Sequence, residues 1–238
     1  MNEGTEPLVR MKNISLRFGH FQALADVSVD FCRHELVAIV GDNGAGKSCL
    51  IRILCGIYSP TEGEVFVAGE KVTQFSPKHA NELGIEAIHQ GIGLCDNLSV
   101  ARNIFLGKEP VKRRFGIPFL DFKTMRESSW KIIRDLGLRD NIGPDDEVEV
   151  MSGGERQSVK IGRAVMFEKR IIIMDEPTTA LSVRERQHVH DLAVKLRDEG
   201  LLVIFISHDI HQVHGIADRI VILENGRKVA DVAQEEMG

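Results

Sequence analysis

The sequence predicts an α/β fold: a mostly parallel sheet flanked by helices, an amino-terminal antiparallel β subdomain and an inserted helical subdomain. Three observations carry this expectation. Leu36-Val37-Ala38-Ile39-Val40, Ile171-Ile172-Ile173-Met174 and 201–206 are continuous apolar runs, as expected of strands buried on both faces. Helical patterns alternate with these runs, as parallel strands require. The opening segments instead alternate with period two, and 91–150 carries no strand signal.

Each element has its own signal. Leu8 to Met11, Ile14 to Phe18 and Val27 to Phe31 read as strands, with Gly19-His20 among the turns. Cys49 to Ile57, after a glycine-rich loop, is too apolar for anything but a buried helix. Glu64 to Val67 returns to strand. Ser76 is a ready N-cap for a helix over 77–83 that opens on Pro77 and closes at Gly84. A strand over 85–89 follows. Helices are expected over 98–106 and 123–136, with a loop over 110–118, and the helical subdomain is bounded at about 91–165 within a single domain of 1–238. A largely buried helix covers 154–167. Val189, Leu192, Ala193 and Leu196 fall on one helical face that ends at Gly200. Runs at 219–223 and 228–232 flank Asn225-Gly226, the signal of a hairpin.

Composition narrows the function. Hydrophobic residues make up 43% and charged residues 27% of 238 residues, which suits a globular domain. The net charge is −5, and Lys112-Arg113-Arg114 is the longest basic run, so no nucleic-acid partner is expected. No apolar stretch has the length of a membrane span, and the acidic, polar start is not that of a signal peptide. The four cysteines lack CxxC spacing and read as reduced thiols.

Gly41-Asp42-Asn43-Gly44-Ala45-Gly46-Lys47-Ser48 fits the phosphate-loop pattern G-x-x-x-x-G-K-[ST], between a buried strand and a helix. Small residues let backbone N–H groups turn toward phosphate oxygens, and the helix dipole favours the same anion. Lys47 is expected at the β- and γ-phosphates of a nucleotide and Ser48 at Mg2+. Asp175-Glu176 follow a buried strand directly, at the end where open parallel sheets bind ligands. Asp175 is expected to hold Mg2+ through water, and Glu176 to orient or deprotonate the attacking water. Together these features predict a P-loop NTPase.

Beyond them, Gln90, Met151-Ser152-Gly153-Gly154-Glu155-Arg156-Gln157 and His208 stand in the order and spacing of ABC transporter ATPase domains. The chain resembles that family from about Leu8 to Val232. The resemblance implies that Phe18 stacks on adenine, unless it is simply core. It makes Gln90 a sensor of Mg2+ and attacking water, at the junction with the helical subdomain. Ser152, Gly153 and Gly154 become the signature that completes a partner subunit's site, and Ser152 equally suits a helix cap. Glu176 becomes the catalytic glutamate and His208 a γ-phosphate contact. Three departures stand out. Cys49 replaces the usual threonine, which affects one α-phosphate contact. Glu155 replaces glutamine, which affects a contact to the ribose. Ser182 replaces aspartate in the Thr179 to Ser182 turn, which affects signalling between sites.

Asn97 to Gly107, Asp175 to Leu181 and Ile206 to Ile210 further resemble ATPases of ribose, xylose and fructose importers. That resemblance implies ATP and Mg2+ as ligands and a head-to-tail homodimer. It also implies polytopic permease subunits, a separate substrate-binding protein, and a peripheral place on the cytoplasmic face of the membrane. Residues 94–105 are then expected to expose apolar side chains for the permease. A soluble ABC-type ATPase or a nucleotide-dependent switch is the alternative.

Overall fold

The computed structural model describes residues 6–88, 93–136, 142–167 and 169–234. In chain order the strands and helices are β1 (Val9–Phe18), β2 (Phe21–Phe31), β3 (Leu36–Val40), α1 (Lys47–Leu54), β4 (Glu62–Val67), β5 (Glu70–Lys71), α2 (Pro77–Glu82) and β6 (Ile85–Ile88). Then come α3 (Val100–Ile104), β7 (Val111–Arg114), β8 (Ile117–Leu120), α4 (Phe122–Asp135) and α5 (Gly153–Val165). The chain continues through β9 (Ile171–Asp175), α6 (Val183–Asp198), β10 (Leu202–Ser207), α7 (Ile210–Val213), β11 (Arg219–Glu224) and β12 (Arg227–Ala233).

The chain forms two compact units. The first comprises Met1–His89, Lys169–Pro177 and Ala193–Gly238, and the second Gln90–Glu168 and Thr178–Leu192. The second therefore takes in 178–192 as well as the stretch expected from sequence.

In the first unit, a sheet ordered β12-β11-β3-β10-β9-β6 is parallel except for the β11–β12 pair. β3, β10 and all of β9 but Asp175 are buried, as continuous apolar runs demand. A second, antiparallel sheet runs β2-β1-β4-β5. Apolar residues of both sheets and of α1 share one core, including Phe31, Ile39, Leu50 and Ile204. Ser76 caps α2 as expected, accepting from His79 N at 3.2 Å. The β11–β12 turn places Asn225 and Gly226 at φ 48° and 74°, the geometry that made Asn-Gly a hairpin signal.

In the second unit, α3, α4 and α5 pack around Val100, Ile104, Met125, Ile133 and Val159. Asn103 is fully buried within it. Its amide Nδ2 lies 3.0–3.1 Å from the carbonyls of Cys95, Leu98 and Ser99, and its Oδ1 accepts from Cys95 N at 2.7 Å. This one side chain fixes the turn that leads into α3.

Three expectations need correction here. The helix expected over 98–106 is only the five-residue α3, because Ser99 caps its start and Gly107, at φ 80°, follows soon after its end. The loop expected over 110–118 is largely the β7–β8 hairpin. Its turn is Phe115-Gly116, at φ 53° and 81°, so the familiar Asn-Gly signal was missing. Finally, 94–105 offers less apolar surface than expected: Val100, Ile104 and Phe105 belong to the unit's own core and Leu94 and Leu98 are half-buried, while the exposed residues include Asp96, Asn97 and Arg102.

Candidate functional site

The phosphate loop lies between β3 and α1. Gly46 is the N-cap of α1 at φ 103°, and a Cβ there would lie 2.8 Å from Leu24 and 3.0 Å from the Ala23 carbonyl. Glycine is therefore required on both conformational and steric grounds. No side chain caps α1, so its first N–H groups stay directed at the loop. Asp42, Asn43 and Gly44 are exposed, and Gly41, Ser48 and Cys49 are half-buried. Ala45 and Lys47 are buried. The Lys47 ammonium donates to the carbonyls of Gly41 at 2.5 Å and Asp42 at 3.1 Å, which holds its charge within the loop. Burial is the main reason the Cys49 thiol is pushed up, which keeps it protonated and suits it to packing beside Ser48.

Neighbouring parallel strands bring the remaining chemistry to the same edge. β3, β10 and β9 are adjacent, with Val40 level with Ser207 and Ile206 level with Asp175. The loop after β3, His208 after β10 and the acidic pair at the end of β9 therefore emerge together. Glu176 has φ 50°, a left-handed conformation that is costly for this residue and common where function demands it. Its N–H donates to the Ile206 carbonyl at 3.2 Å, tying it to β10. His208 Nδ1 donates to the Glu176 carboxylate, 2.8 Å from Oε2 and 3.0 Å from Oε1. Ser207 and Asp209 brace the turn that carries His208, with Asp209 N donating to Ser207 Oγ at 3.0 Å.

The donors fit Mg2+. Ser48 offers a hydroxyl and Asp175 a carboxylate, both hard oxygen ligands. Among the described residues no cluster of three or more His, Cys, Asp or Glu side chains could hold a metal. Gln90, the third residue expected at the metal, lies outside the described residues.

Phe18 is 45% exposed at the end of β1, so it is not core. Its ring meets Tyr58 edge-on, with centroids 5.2 Å apart.

In the second unit, Ser152 caps α5 and forms a reciprocal capping box with Glu155. Glu155 N donates to Ser152 Oγ at 3.3 Å, and the Glu155 carboxylate accepts from Ser152 N at 2.9 Å. The acid that departs from the family glutamine thus has a local structural use.

Sequence reading missed Glu185. Its carboxylate accepts from Gly154 N at 2.9 Å, Ser182 N at 3.0 Å and Ser182 Oγ at 2.8 Å. These bonds, led by that from Gly154, hold its carboxyl down to about 2. A Cβ on Gly154 would lie 2.7 Å from Glu185 Cγ, so glycine permits the approach. Ser182-x-x-Glu185 is itself a capping-box pattern, the one sequence signal that could have exposed it.

A family model described as ABC transporter matches residues 24–179, which hold the phosphate loop, the Ser-Gly-Gly segment and the acidic pair. The chain belongs to the ABC transporter family. This ABC chain is 42% identical over 231 residues to the xylose/arabinose import ATP-binding protein XylG of Sulfolobus acidocaldarius, covering 96% of the chain and 89% of that protein. It is 40% identical to the ribose import ATP-binding protein RbsA of Caldanaerobacter subterraneus, covering 93% of the chain but only 44% of that protein's length. Among solved structures it resembles the dimeric ATP-binding cassette MJ0796 in a post-hydrolysis state with ADP and Pi. The TM-score is 0.78 at 25% identity, over 95% of this chain and 98% of that one. No described helix of the ABC chain is long and apolar enough to cross a membrane.

Proposed function

We propose that this chain hydrolyses ATP to drive carbohydrate import, working as a head-to-tail homodimer bound to permease subunits at the cytoplasmic face of the membrane. A separate substrate-binding protein would deliver the sugar. The names of the ribose and xylose/arabinose relatives support the substrate class, and the ADP- and Pi-bound cassette dimer supports the assembly. The observation that carries the chemistry is the convergence of the phosphate loop, His208 and Asp175-Glu176 at the ends of three adjacent parallel strands.

In this reading the N-terminus of α1 and Lys47 bind the β- and γ-phosphates. Cys49, Asp42, Asn43 and the loop glycines shape the cradle. Phe18 stacks on adenine. Ser48, Asp175 and Gln90 hold Mg2+, which when bound offsets phosphate charge. Glu176 accepts a proton from the attacking water, and its bond to His208 fixes the carboxylate's orientation. His208 also offers its other ring nitrogen to the γ-phosphate. Ser152, Gly153 and Gly154 of the second chain close over that phosphate, with positioned donors stabilising the transition state. The helical unit passes closure to the permease through Gln90.

Glu176→Gln tests the chemistry. Purified variant should bind ATP as wild type does and hydrolyse it at least about a hundredfold more slowly, the range for loss of a general base. Turnover near wild type would remove Glu176 from the role.

A further inference from the structure

The β7–β8 hairpin is exposed along its whole length: all eight strand residues face solvent. A lone two-stranded hairpin is at best marginally stable in water, so a hairpin packed on neither face needs a reason. Its side chains supply one. β7 carries Lys112, Arg113 and Arg114, and β8 carries Ile117, Phe119 and Leu120. Lys112 pairs with Phe119 and Arg114 with Ile117 on one face, and Arg113 pairs with Pro118 on the other. Cations and apolar groups are therefore interleaved across the strands.

The turn points the same way. Phe115 stands at its apex, 92% exposed, with φ 53°. Glycine or asparagine would adopt that conformation at less cost, yet an aromatic ring occupies it. The Arg114 guanidinium lies 5.7 Å from that ring's centroid. Phe122, 53% exposed, extends the apolar surface at the start of α4.

Charge selects the partner. The chain has net charge −5, but 108–123 holds five basic residues against two acidic ones. Lys112 reaches Asp121 at 3.5 Å, while Arg113 and Arg114 make no ion pair among the described residues. Protein interfaces also take up Arg and aromatic rings, so the feature that selects the partner is the run of three consecutive cations in an otherwise acidic chain. A lipid interface accommodates it: aromatic rings lie at the headgroup level while long cationic side chains reach lipid phosphates.

We propose that the 111–122 hairpin is a peripheral anchor that inserts Phe115 into an anionic lipid surface, with Arg113 and Arg114 on the headgroup phosphates. The anchor holds this chain at the membrane by contacts distinct from those to any permease. It shares with the proposed transport role only the membrane location.

Vesicle sedimentation of the full chain tests it, using phosphatidylglycerol-containing vesicles against pure phosphatidylcholine. Wild type should prefer the anionic vesicles and lose binding as salt rises. The triple variant Lys112→Glu, Arg113→Glu, Arg114→Glu should bind them about a hundredfold more weakly, each basic residue near the surface being worth about fivefold. Phe115→Ser with Phe119→Ser should weaken binding while leaving all the charges in place. Circular dichroism and melting checks that the variants fold. Phe115→Trp in a Trp130→Phe background should shift its emission to the blue on anionic vesicles. Equal binding by wild type and the triple variant, or no binding by wild type, would overturn the anchor. So would variants that keep lipid binding but no longer co-purify with a permease, since the hairpin would then be a protein-docking surface. ATP hydrolysis enters none of these readouts, so failure of the anchor and failure of the ATPase reading are separable.

Discussion

Phe18 shows how much one residue's setting decides. It ends β1 half-exposed and is backed edge-on by Tyr58, a geometry that leaves a ring face for a base. Phe18→Ala should weaken nucleotide binding by about 1–3 kcal/mol, the range for aromatic–base stacking. Titration with a fluorescent ATP analogue measures this, and an unchanged Kd would leave the ring with only its Tyr58 contact. Glu176 and His208 illustrate a different residue-level effect. The sequence places them 32 positions apart, and only adjacent strand ends bring them to 2.8 Å. The acidic pair itself was legible, because a carboxylate directly after four apolar residues is a local pattern. His208 was assigned from the family resemblance as a γ-phosphate contact, and its bond to Glu176 was not legible, since strand order cannot be read from either segment alone.

At the level of elements, the start of α5 is held by two carboxylates. Glu155 completes the box at Ser152, and Glu185 of α6 accepts from Gly154. Helix ends and phosphate loops are written in short spacings, and the caps at Ser76 and Ser152 were legible for that reason. The Glu185 contact spans 31 positions and depends on tertiary packing, so it was not. The hairpin and the burial of Val100, Ile104 and Phe105 were misread for related reasons. Phe-Gly does not announce a tight turn, and the burial of α3 depends on Asn103 and on neighbours far along the chain.

The Glu185 contact also has a pH signature. Its carboxyl is held at about 2, below the ordinary 4.5, so its stabilising bonds are fully present above 4.5 and lost as pH falls toward 2. Glu185→Gln should lower Tm at neutral pH, and the gap from wild type should close as pH falls through that window. Thermal melts across pH measure it, and a gap independent of pH would contradict the ionised contact.

Across the whole molecule, the residues given roles in the proposed function are divided between the two compact units. The first holds the phosphate loop, Asp175, Glu176 and His208, and the second holds Ser152 to Gly154. The proposed head-to-tail dimer joins one chain's loop to its partner's signature, and it is the claim on which the transport reading depends. The direct measurement is ATPase activity in mixed dimers of Lys47→Ala and Ser152→Arg chains. Either variant alone spoils both sites and should be inactive. Mixing them creates one intact site, from the phosphate loop of the Ser152→Arg chain and the signature of the Lys47→Ala chain, and activity should return. A chain carrying both changes, paired with wild type, should leave no intact site and stay inactive. Sites built within single chains would give the reverse: no activity on mixing the single variants, and about half the wild-type rate from the doubly changed chain paired with wild type.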